Sequence, residues 1–375
     1  MADRGTSTDK SVQADDDFEW ADRSEYWLNY RPAKKGARKK FHYRQPLILC
    51  GHGIGVRVDH NTLLIRQGLT HYPQKIEQTR FFPGDANLPD RIIILDGSGG
   101  ISFDALDWMS EQRIALVKLD WRGEITSIGG GAKYSANLKL AEFQRQAKTG
   151  KKSTELARWL IGEKILASAK TLREIIPISA NQEIAISKLE KRYSEIRNSK
   201  KSLSINQILG IEGDCAAAYF RAWHGAPIKW SGIKRRPIPD NWLEIVPRNM
   251  FWRRKAQNAR HPINAMLNYG YGILKIELRN QVIGAGLDPS IGIMHGNFRS
   301  DIPLVLDLME PMRPAVDRAI LAFALSNVFT PEDFTINQVG GCRINPQMAK
   351  QIVKQIDIFE YAASVVRQTL SVLRQ

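Results

Sequence analysis

The amino-acid sequence predicts an α+β protein in which a small N-terminal β domain is followed by a larger all-α domain. Short apolar runs separated by Gly, Asn and Asp fill the region from residue 46 to residue 132. From residue 135 to residue 375, apolar residues recur with a helical period of 3.6. A chain of 375 residues is too long for one typical domain and suits two.

The first 45 residues are predicted to be a largely flexible basic extension. Residues 1–16 are polar and acidic, and residues 34–40 contain five Lys or Arg residues near Pro and Gly. Segments of this composition bury too little apolar surface to fold alone. The basic run is expected either to contact a polyanion or to be a solvated tail.

Within the β domain the sequence predicts five strands and one helix. The helix covers about Phe103 to Glu111, and Trp121–Glu124 turns the last hairpin. Gly129–Gly131 indicate a hinge or a close backbone approach, so the domain boundary is placed near residues 130–135. The strands are predicted at Leu47–Leu49, Val56–Val58, Leu63–Ile65, Ile92–Leu95 and Ile114–Val117.

The helical domain is predicted to contain seven long helices and one loop region. The loop region, 225–260, is rich in Pro, aromatic residues and bases. The helices are expected near 136–149, 153–173, 180–199, 204–223, 262–284, 301–326 and 344–373.

Composition favours a polyanionic partner. Lys and Arg number 54 against 39 acids, which gives a net charge of +15 and a pI near 9.7. An anionic membrane is the rival, but no apolar run approaches eighteen residues, and the N-terminus lacks a hydrophobic signal region. Three scattered cysteines show neither metal-binding spacing nor a disulfide framework, which fits a reducing cytoplasm.

One imidazole and two carboxylates, His295, Asp307 and Glu310, fall within sixteen residues. Asp307 and Glu310 are spaced i and i+3, so a helix would place them on one face beside apolar neighbours. A divalent metal or a nearby Arg would relieve the cost of placing these acids at a buried boundary. Both explanations remain open on this segment alone.

Two upstream helices also carry unusual polar residues. Glu212 stands beside two glycines in an apolar, Ala-rich helix, and a lone buried Glu is rare. Asn264 and Asn268, four residues apart, share a face of the helix that begins near His261.

Four motifs in this order resemble the CRISPR-associated integrase and endonuclease of spacer acquisition, the "Cas-one" family. They are Leu-Gly-Ile-Glu-Gly with Ala-Tyr-Phe-x-Ala-Trp (209–213, 218–223), Pro-x-Asn-Ala-x-Leu-Asn-Tyr-Gly-Tyr (262–271), Gly-Leu-Asp-Pro-x-x-Gly-x-x-His (286–295) and Leu-Asp-Leu-Met-Glu-Pro-x-Arg-Pro (306–314). With residues 94–108, the resemblance covers roughly residues 46–350.

The resemblance implies a metal site formed by Glu212, His295 and Glu310. Two carboxylates with one imidazole suit Mg²⁺ or Mn²⁺. Asp307 either ligates the ion or pairs with Arg313 or another arginine. Asn268, Tyr269 and Tyr271 are further candidate catalytic residues, although buried Tyr side chains are also ordinary core lining.

The loop that leads into the asparagine helix is expected to bind DNA phosphates beside the metal site. Trp230, Trp242 and Trp252 could stack on unpaired bases, although each alone is more often a packing residue. The glycine-rich segments lack the lysine and helix start of a P-loop, so nucleotide binding is rejected. The predicted DNA-binding residues are Arg248, Arg253, Arg254, Lys255, Arg260, Lys234, Arg235 and Arg236.

The family further implies a homodimer formed through the N-terminal domains, and two dimers around a dimer of the small "Cas-two" partner. The implied activity is metal-dependent transesterification, in which the 3′-hydroxyl of a double-stranded prespacer attacks a CRISPR repeat, with endonuclease activity at the same site. The alternatives are a related transposon integrase acting on terminal inverted repeats and a non-catalytic DNA-binding scaffold.

Overall fold

The computed structural model describes residues 9–31, 46–130, 137–148, 150–198, 203–246, 259–294, 302–338 and 340–374. Long helices and short strands are mixed, so the predicted α+β class is confirmed. The helices are α1 (Asp9–Asn29), α2 (Phe103–Glu111), α3 (Leu138–Lys148), α4 (Lys151–Ile175), α5 (Ala180–Arg197), α6 (Ile205–Arg221), α7 (Pro262–Gly284), α8 (Pro303–Met309), α9 (Arg313–Ser326), α10 (Pro346–Gln355) and α11 (Phe359–Arg374).

The strands are short and lie mostly in the first third of the chain. They are β1 (Leu47–Cys50), β2 (Ile54–Asp59), β3 (Thr62–Arg66), β4 (Gln78–Phe81), β5 (Arg91–Leu95), β6 (Gly99–Ile101), β7 (Ala115–Leu119), β8 (Ile125–Gly130), β9 (Lys229–Trp230), β10 (Val328–Phe329), β11 (Phe334–Ile336) and β12 (Cys342–Ile344).

The described residues form two compact units. The β unit takes its residues from Met1–Lys133, Ser231–Pro237 and Phe329–Lys354, and the helical unit from Tyr134–Trp230, Ile238–Val328 and Gln355–Gln375. The helical periodicity of the sequence predicts a single helical domain over residues 135–375. Two later segments instead belong with the strands, because residues distant in sequence supply their contacts.

Two four-stranded sheets form the centre of the described β unit. One has the order β1-β5-β7-β8, in which β8 alone runs antiparallel to its neighbour, and the other has the order β4-β3-β2-β6. Helix α2 begins where Ser102 accepts a hydrogen bond from the Ala105 N–H. Its buried Trp108 and Met109 join a core with Leu49, Ile65 and Ile92.

Helix α1 packs within the β unit, where the sequence predicted a flexible extension. Trp27 is fully buried and donates its indole N–H to Asp333 at 2.7 Å. Arg23 donates to both oxygens of the same carboxylate at 3.0 Å. The expectation for residues 1–45 is therefore corrected for this helix, because its partner lies about 300 residues away and leaves no local signal. The basic run 34–40 lies outside the described residues.

The predicted helices of the helical unit are confirmed, with two interruptions. The predicted helix 301–326 is split into α8 and α9 by a 3₁₀ turn at Glu310–Met312. Pro311 and Pro314 cause this break because neither has the N–H that a continuous helix requires. The predicted helix 344–373 is likewise divided into α10 and α11.

Candidate functional site

Helix α6 presents Glu212 at the edge of its buried face. Ser204 and Gln207 form a capping box that starts the helix, and Ile211 and Cys215 anchor it in the core. A Cβ atom added at Gly210 or Gly213 would meet nothing within 4 Å. The helix surface at these two glycines is therefore open.

Glu212 and Glu310 converge on one ammonium group. Lys164 of α4 donates to Oε1 of Glu212 and, at 2.6 Å, to Oε2 of Glu310. The three side chains are only 10 to 20% exposed. The fold thus brings together two acids that are far apart in sequence, and it places a cation between them.

Arg313 supplies a second cation to the same cluster. Its Nε–H donates to Oε1 of Glu310 at 3.1 Å, and its guanidinium lies 5.0 Å from the ring centroid of Tyr271. The 3₁₀ turn sets this contact, because it orients Glu310 and Arg313 toward each other across three residues. Arg313, considered in the sequence analysis as a partner for Asp307, thus binds Glu310.

The cluster is balanced in formal charge, with two carboxylates against Lys164 and Arg313. Burial would lower the pKa of Lys164, but the carboxylates of Glu310 and Glu212 offset this effect and raise its pKa above the ordinary lysine value. Lys164 is therefore an ammonium ion, and the site holds positive charge between its two acids.

Asp307 lies in α8, one turn before Glu310, and is fully buried. Its Oδ2 accepts hydrogen bonds from the backbone N–H groups of Ile293 at 2.5 Å and Met294 at 3.0 Å. These amides belong to the segment that immediately precedes His295. The geometry favours a role in fixing that segment.

Tyr271 and Tyr219 both donate to the buried carboxylate of Asp317, Tyr219 at 3.1 Å. Tyr271 is 8% exposed and Tyr269 is 2% exposed, so both are core residues. Tyr271 also faces Arg313, and it therefore connects the Asp317 carboxylate to the acidic cluster. Asn268 is half-buried on the same helix.

The predicted DNA-binding residues fall into three groups. Arg248, Arg253, Arg254 and Lys255 lie outside the described residues. Arg260 is exposed in the helical unit. Lys234, Arg235 and Arg236 belong to the β unit, where Arg235 and Arg236 pair with Glu19 of α1 at 2.9 and 3.0 Å.

The predicted stacking tryptophans pack on each other. The rings of Trp230 and Trp242 stack at a centroid distance of 5.9 Å, and Trp242 is 3% exposed. The Trp242 indole donates to the Arg260 carbonyl at 2.9 Å. Stacking of a nucleic-acid base on Trp242 is therefore excluded in this conformation, and Trp252 lies outside the described residues.

His295, the third predicted metal ligand, also lies outside the described residues. Among the residues that are described, no three His, Cys, Asp or Glu side chains are grouped so that they could hold a metal ion. Of the three predicted ligands, the described residues thus include Glu212 and Glu310, and the metal site stays a prediction. No described helix is long and apolar enough to cross a membrane.

Sequence reasoning missed Lys164. It lies on the buried stripe of α4, between Leu160 and Ser168. A lysine in such a stripe requires an acidic partner, since a buried ammonium is otherwise costly. That rule could have identified Lys164 as a residue of the cluster, although it could not have named Glu212 and Glu310.

The fold and the site define a class of protein: an α+β chain whose helical unit holds a largely buried cluster of two acids and two cations. The family model described as "CRISPR associated protein Cas1" matches residues 47–357. This chain belongs to the Cas1 family.

Curated relatives agree with this assignment. A CRISPR-associated endonuclease Cas1 of Methanospirillum hungatei is 33% identical over 164 residues, which cover 44% of this chain and 41% of the relative. A second, from Pyrobaculum aerophilum, is 26% identical over 70% of this chain and 82% of the relative. The alignment thus spans less than half of the first relative and most of the second.

Solved structures share the fold. A casposase bound to an integration product has a TM-score of 0.68 at 25% identity and covers 88% of this chain and 91% of its own. A Cas1 protein from Thermotoga maritima has a TM-score of 0.65 at 16% identity and covers 88% of this chain and 97% of its own.

Proposed function

We propose that this protein is a metal-dependent DNA integrase and endonuclease that inserts new spacers into a CRISPR array. The observation that carries the proposal is the convergence of Glu212 and Glu310 on one cation, within a member of the Cas1 family. The relatives named as endonucleases and the casposase bound to its integration product support the same class of chemistry.

The donor set fits a hard divalent cation. Two carboxylates of low exposure meet at one point, where the ammonium of Lys164 contacts both of them. Oxygen ligands of this kind suit Mg²⁺ or Mn²⁺. Glu212, Glu310 and His295 would hold the ion. When bound, it would stabilise charge on a phosphoryl oxygen and activate a hydroxyl or water.

The protein's own residues supply orientation and charge. Arg313 fixes one oxygen of Glu310, and Asp307 fixes the backbone before His295. In strand transfer, the 3′-hydroxyl oxygen of a prespacer forms a new bond to phosphorus as the phosphodiester bond of the repeat breaks. The attacking hydroxyl loses its proton and the departing 3′-oxygen gains one. With water as the nucleophile, the same exchange is endonuclease cleavage.

The assembly we propose follows the family. Double-stranded prespacer and repeat DNA are the substrates, and the charge of +15 suits them. The protein acts as a homodimer, and two such dimers join a dimer of the small Cas-two partner. The buried, unpaired thiols of Cys50, Cys215 and Cys342 suit a reducing cytoplasm.

A strand-transfer assay tests the proposal. Wild-type protein with the Cas-two partner, Mn²⁺, a prespacer and a leader-repeat target should give joined products, and chelation should abolish them. Glu212→Ala, Glu310→Ala and His295→Ala should each abolish joining in folded protein. Glu142→Ala, at an exposed position of α3, is the matched control. Wild-type joining by Glu212→Ala would overturn the site assignment.

The casposase neighbour favours one second candidate, a transposon integrase acting on terminal inverted repeats. The same assay separates the two with donors that end in an inverted repeat. The second candidate would be favoured if the protein preferred that donor and joined it to a target without a CRISPR repeat. This joining should not require the Cas-two partner. Folded protein without joining or cleavage activity on any DNA would point to a non-catalytic scaffold.

A further inference from the structure

The ammonium of Lys164 lies where the proposed function requires a divalent ion. It contacts one oxygen of Glu212 and one oxygen of Glu310, and at the Glu310 oxygen the distance is 2.6 Å. Two acids assigned as metal ligands are thus already bound to a cation that belongs to the chain. None of the four motifs quoted above includes this lysine.

Lys164 is held in this position by the helix that carries it. Leu160 and Ile161 on one side and Ile165 and Ser168 on the other belong to the buried stripe of α4. The side chain of Lys164 is only 15% exposed. Its ammonium therefore has little access to water and depends on the two carboxylates for stabilisation.

The acids depend on Lys164 in the same way. Without a cation between them, two carboxylates of low exposure would repel each other. Arg313 would compensate this repulsion only in part, because its hydrogen bond goes to Glu310. Either Lys164 or a metal ion can supply that charge. Both together would place like charges side by side.

We propose that Lys164 is a built-in counter-ion that holds Glu212 and Glu310 together in the metal-free protein and that a divalent ion must displace. The inference rests on the proposed function, because it takes the two glutamates as metal ligands. Lys164 preserves the arrangement of the site before metal binds, and it weakens metal binding by competing for the same oxygens. The metal affinity of the protein is thus set partly by a residue that ligates nothing.

A titration of DNA-free protein with Mn²⁺ tests the displacement proposal. Binding is measured by calorimetry or by the electron paramagnetic resonance signal of free Mn²⁺. Lys164→Met should bind Mn²⁺ roughly tenfold or more tightly, since one competing unit charge is removed at contact distance. Lys164→Arg keeps the charge and should not show this gain. Lys170→Met is the matched control, because Lys170 lies on the same helix and is 60% exposed.

Thermal unfolding distinguishes displacement of Lys164 by Mn²⁺ from a role of Lys164 in stabilising the fold alone. Without metal, Lys164→Met should unfold at a lower temperature than wild type, and saturating Mn²⁺ should raise its unfolding temperature more than it raises that of wild type. If Lys164→Met is too unstable to purify, Lys164→Gln, which retains a hydrogen-bond donor, serves the same purpose. Unchanged or weaker Mn²⁺ binding by folded Lys164→Met, or by folded Lys164→Gln in its place, would overturn the proposal.

Glu310→Gln distinguishes the failure of this inference from the failure of the proposed function. If wild type binds no Mn²⁺, or if Glu310→Gln binds it as tightly as wild type, both are overturned. If wild type binds, Glu310→Gln loses binding, and Lys164→Met is unchanged, the displacement proposal alone is overturned.

Discussion

The carboxylate of Asp307 accepts a hydrogen bond from the backbone N–H of Met294, at 3.0 Å, and both residues are buried. Met294 directly precedes His295 in the chain. Asp307 also lies one helical turn before Glu310. Asp307 thus fixes the backbone next to His295, and it does so from α8, the helix that leads into Glu310.

Asp307→Asn should lower the free energy of unfolding of the metal-free protein by about 1–3 kcal/mol, because buried amides would lose a charged acceptor. Mn²⁺ affinity should fall less than it does in Glu310→Gln. Denaturant unfolding and Mn²⁺ titration measure the two effects, with exposed Asp357→Asn as control. Unchanged metal-free stability together with complete loss of Mn²⁺ binding would instead identify Asp307 as a ligand.

Trp27→Ala should destabilise the β unit by about 3–5 kcal/mol, because it removes a fully buried aromatic side chain. The variant also deprives the buried Asp333 carboxylate of its indole donor. Urea unfolding monitors the loss. Glu25→Ala, on the exposed face of the same helix, should have little effect. Equal stability of the two variants would mean that α1 is not docked in solution.

Because His261 is buried, the free energy of unfolding should fall when the pH is lowered mildly. It caps α7 by accepting from the Ile263 N–H at 3.2 Å, while its other nitrogen donates to the Glu244 carbonyl at 3.0 Å. Burial lowers its pKa below the ordinary value of 6.5. Below that pH the unfolded chain binds a proton that the folded protein does not, so acid favours unfolding.

The loss attributable to His261 should approach about 1.4 kcal/mol per pH unit between pH 6.5 and its lowered folded pKa. His261→Asn retains a capping oxygen and cannot titrate in this range. Denaturant unfolding between pH 7.5 and about pH 5 should therefore show a flatter profile for the variant. Parallel profiles would mean that His261 does not cause the acid sensitivity.

Reversing the charge of Arg253 and Arg254 should weaken DNA binding and reduce its dependence on salt. Each lost phosphate contact lowers the slope of log K against log salt by roughly one. Reversal of Arg145 and Lys148, both exposed on α3, provides a control of equal charge change. An unchanged slope for Arg253 and Arg254 would place the DNA path elsewhere.

Local patterns in the sequence predicted most of the fold. Apolar runs such as Ile92–Leu95 are strands, and the period of 3.6 residues identified helices such as α4 and α7. Helix α1 was missed, because its stability depends on Trp27 meeting Asp333. The return of β11, β12 and α10 to the β unit was missed for the same reason, since no local pattern records a distant partner.

The site was predicted in part. Glu212 and Glu310 were selected together with His295 as metal ligands; in the structure both glutamates contact Lys164, and their role as ligands stays a prediction. Lys164 was not selected, because a lysine on a helix is usually solvated and only its neighbours in space give it a role. Tyr271 was selected for its phenol, yet that group donates to Asp317, an acid that the motifs did not mark.

The contact between Trp27 and Asp333 determines when α1 can dock during synthesis of the chain. The two residues are separated by 306 positions, so at roughly 5–20 residues per second a ribosome needs on the order of 15–60 s to produce the second after the first. Throughout that interval Asp333 is not yet present to accept the indole N–H of Trp27. Docking of α1 on Asp333 therefore follows synthesis of the chain through residue 333.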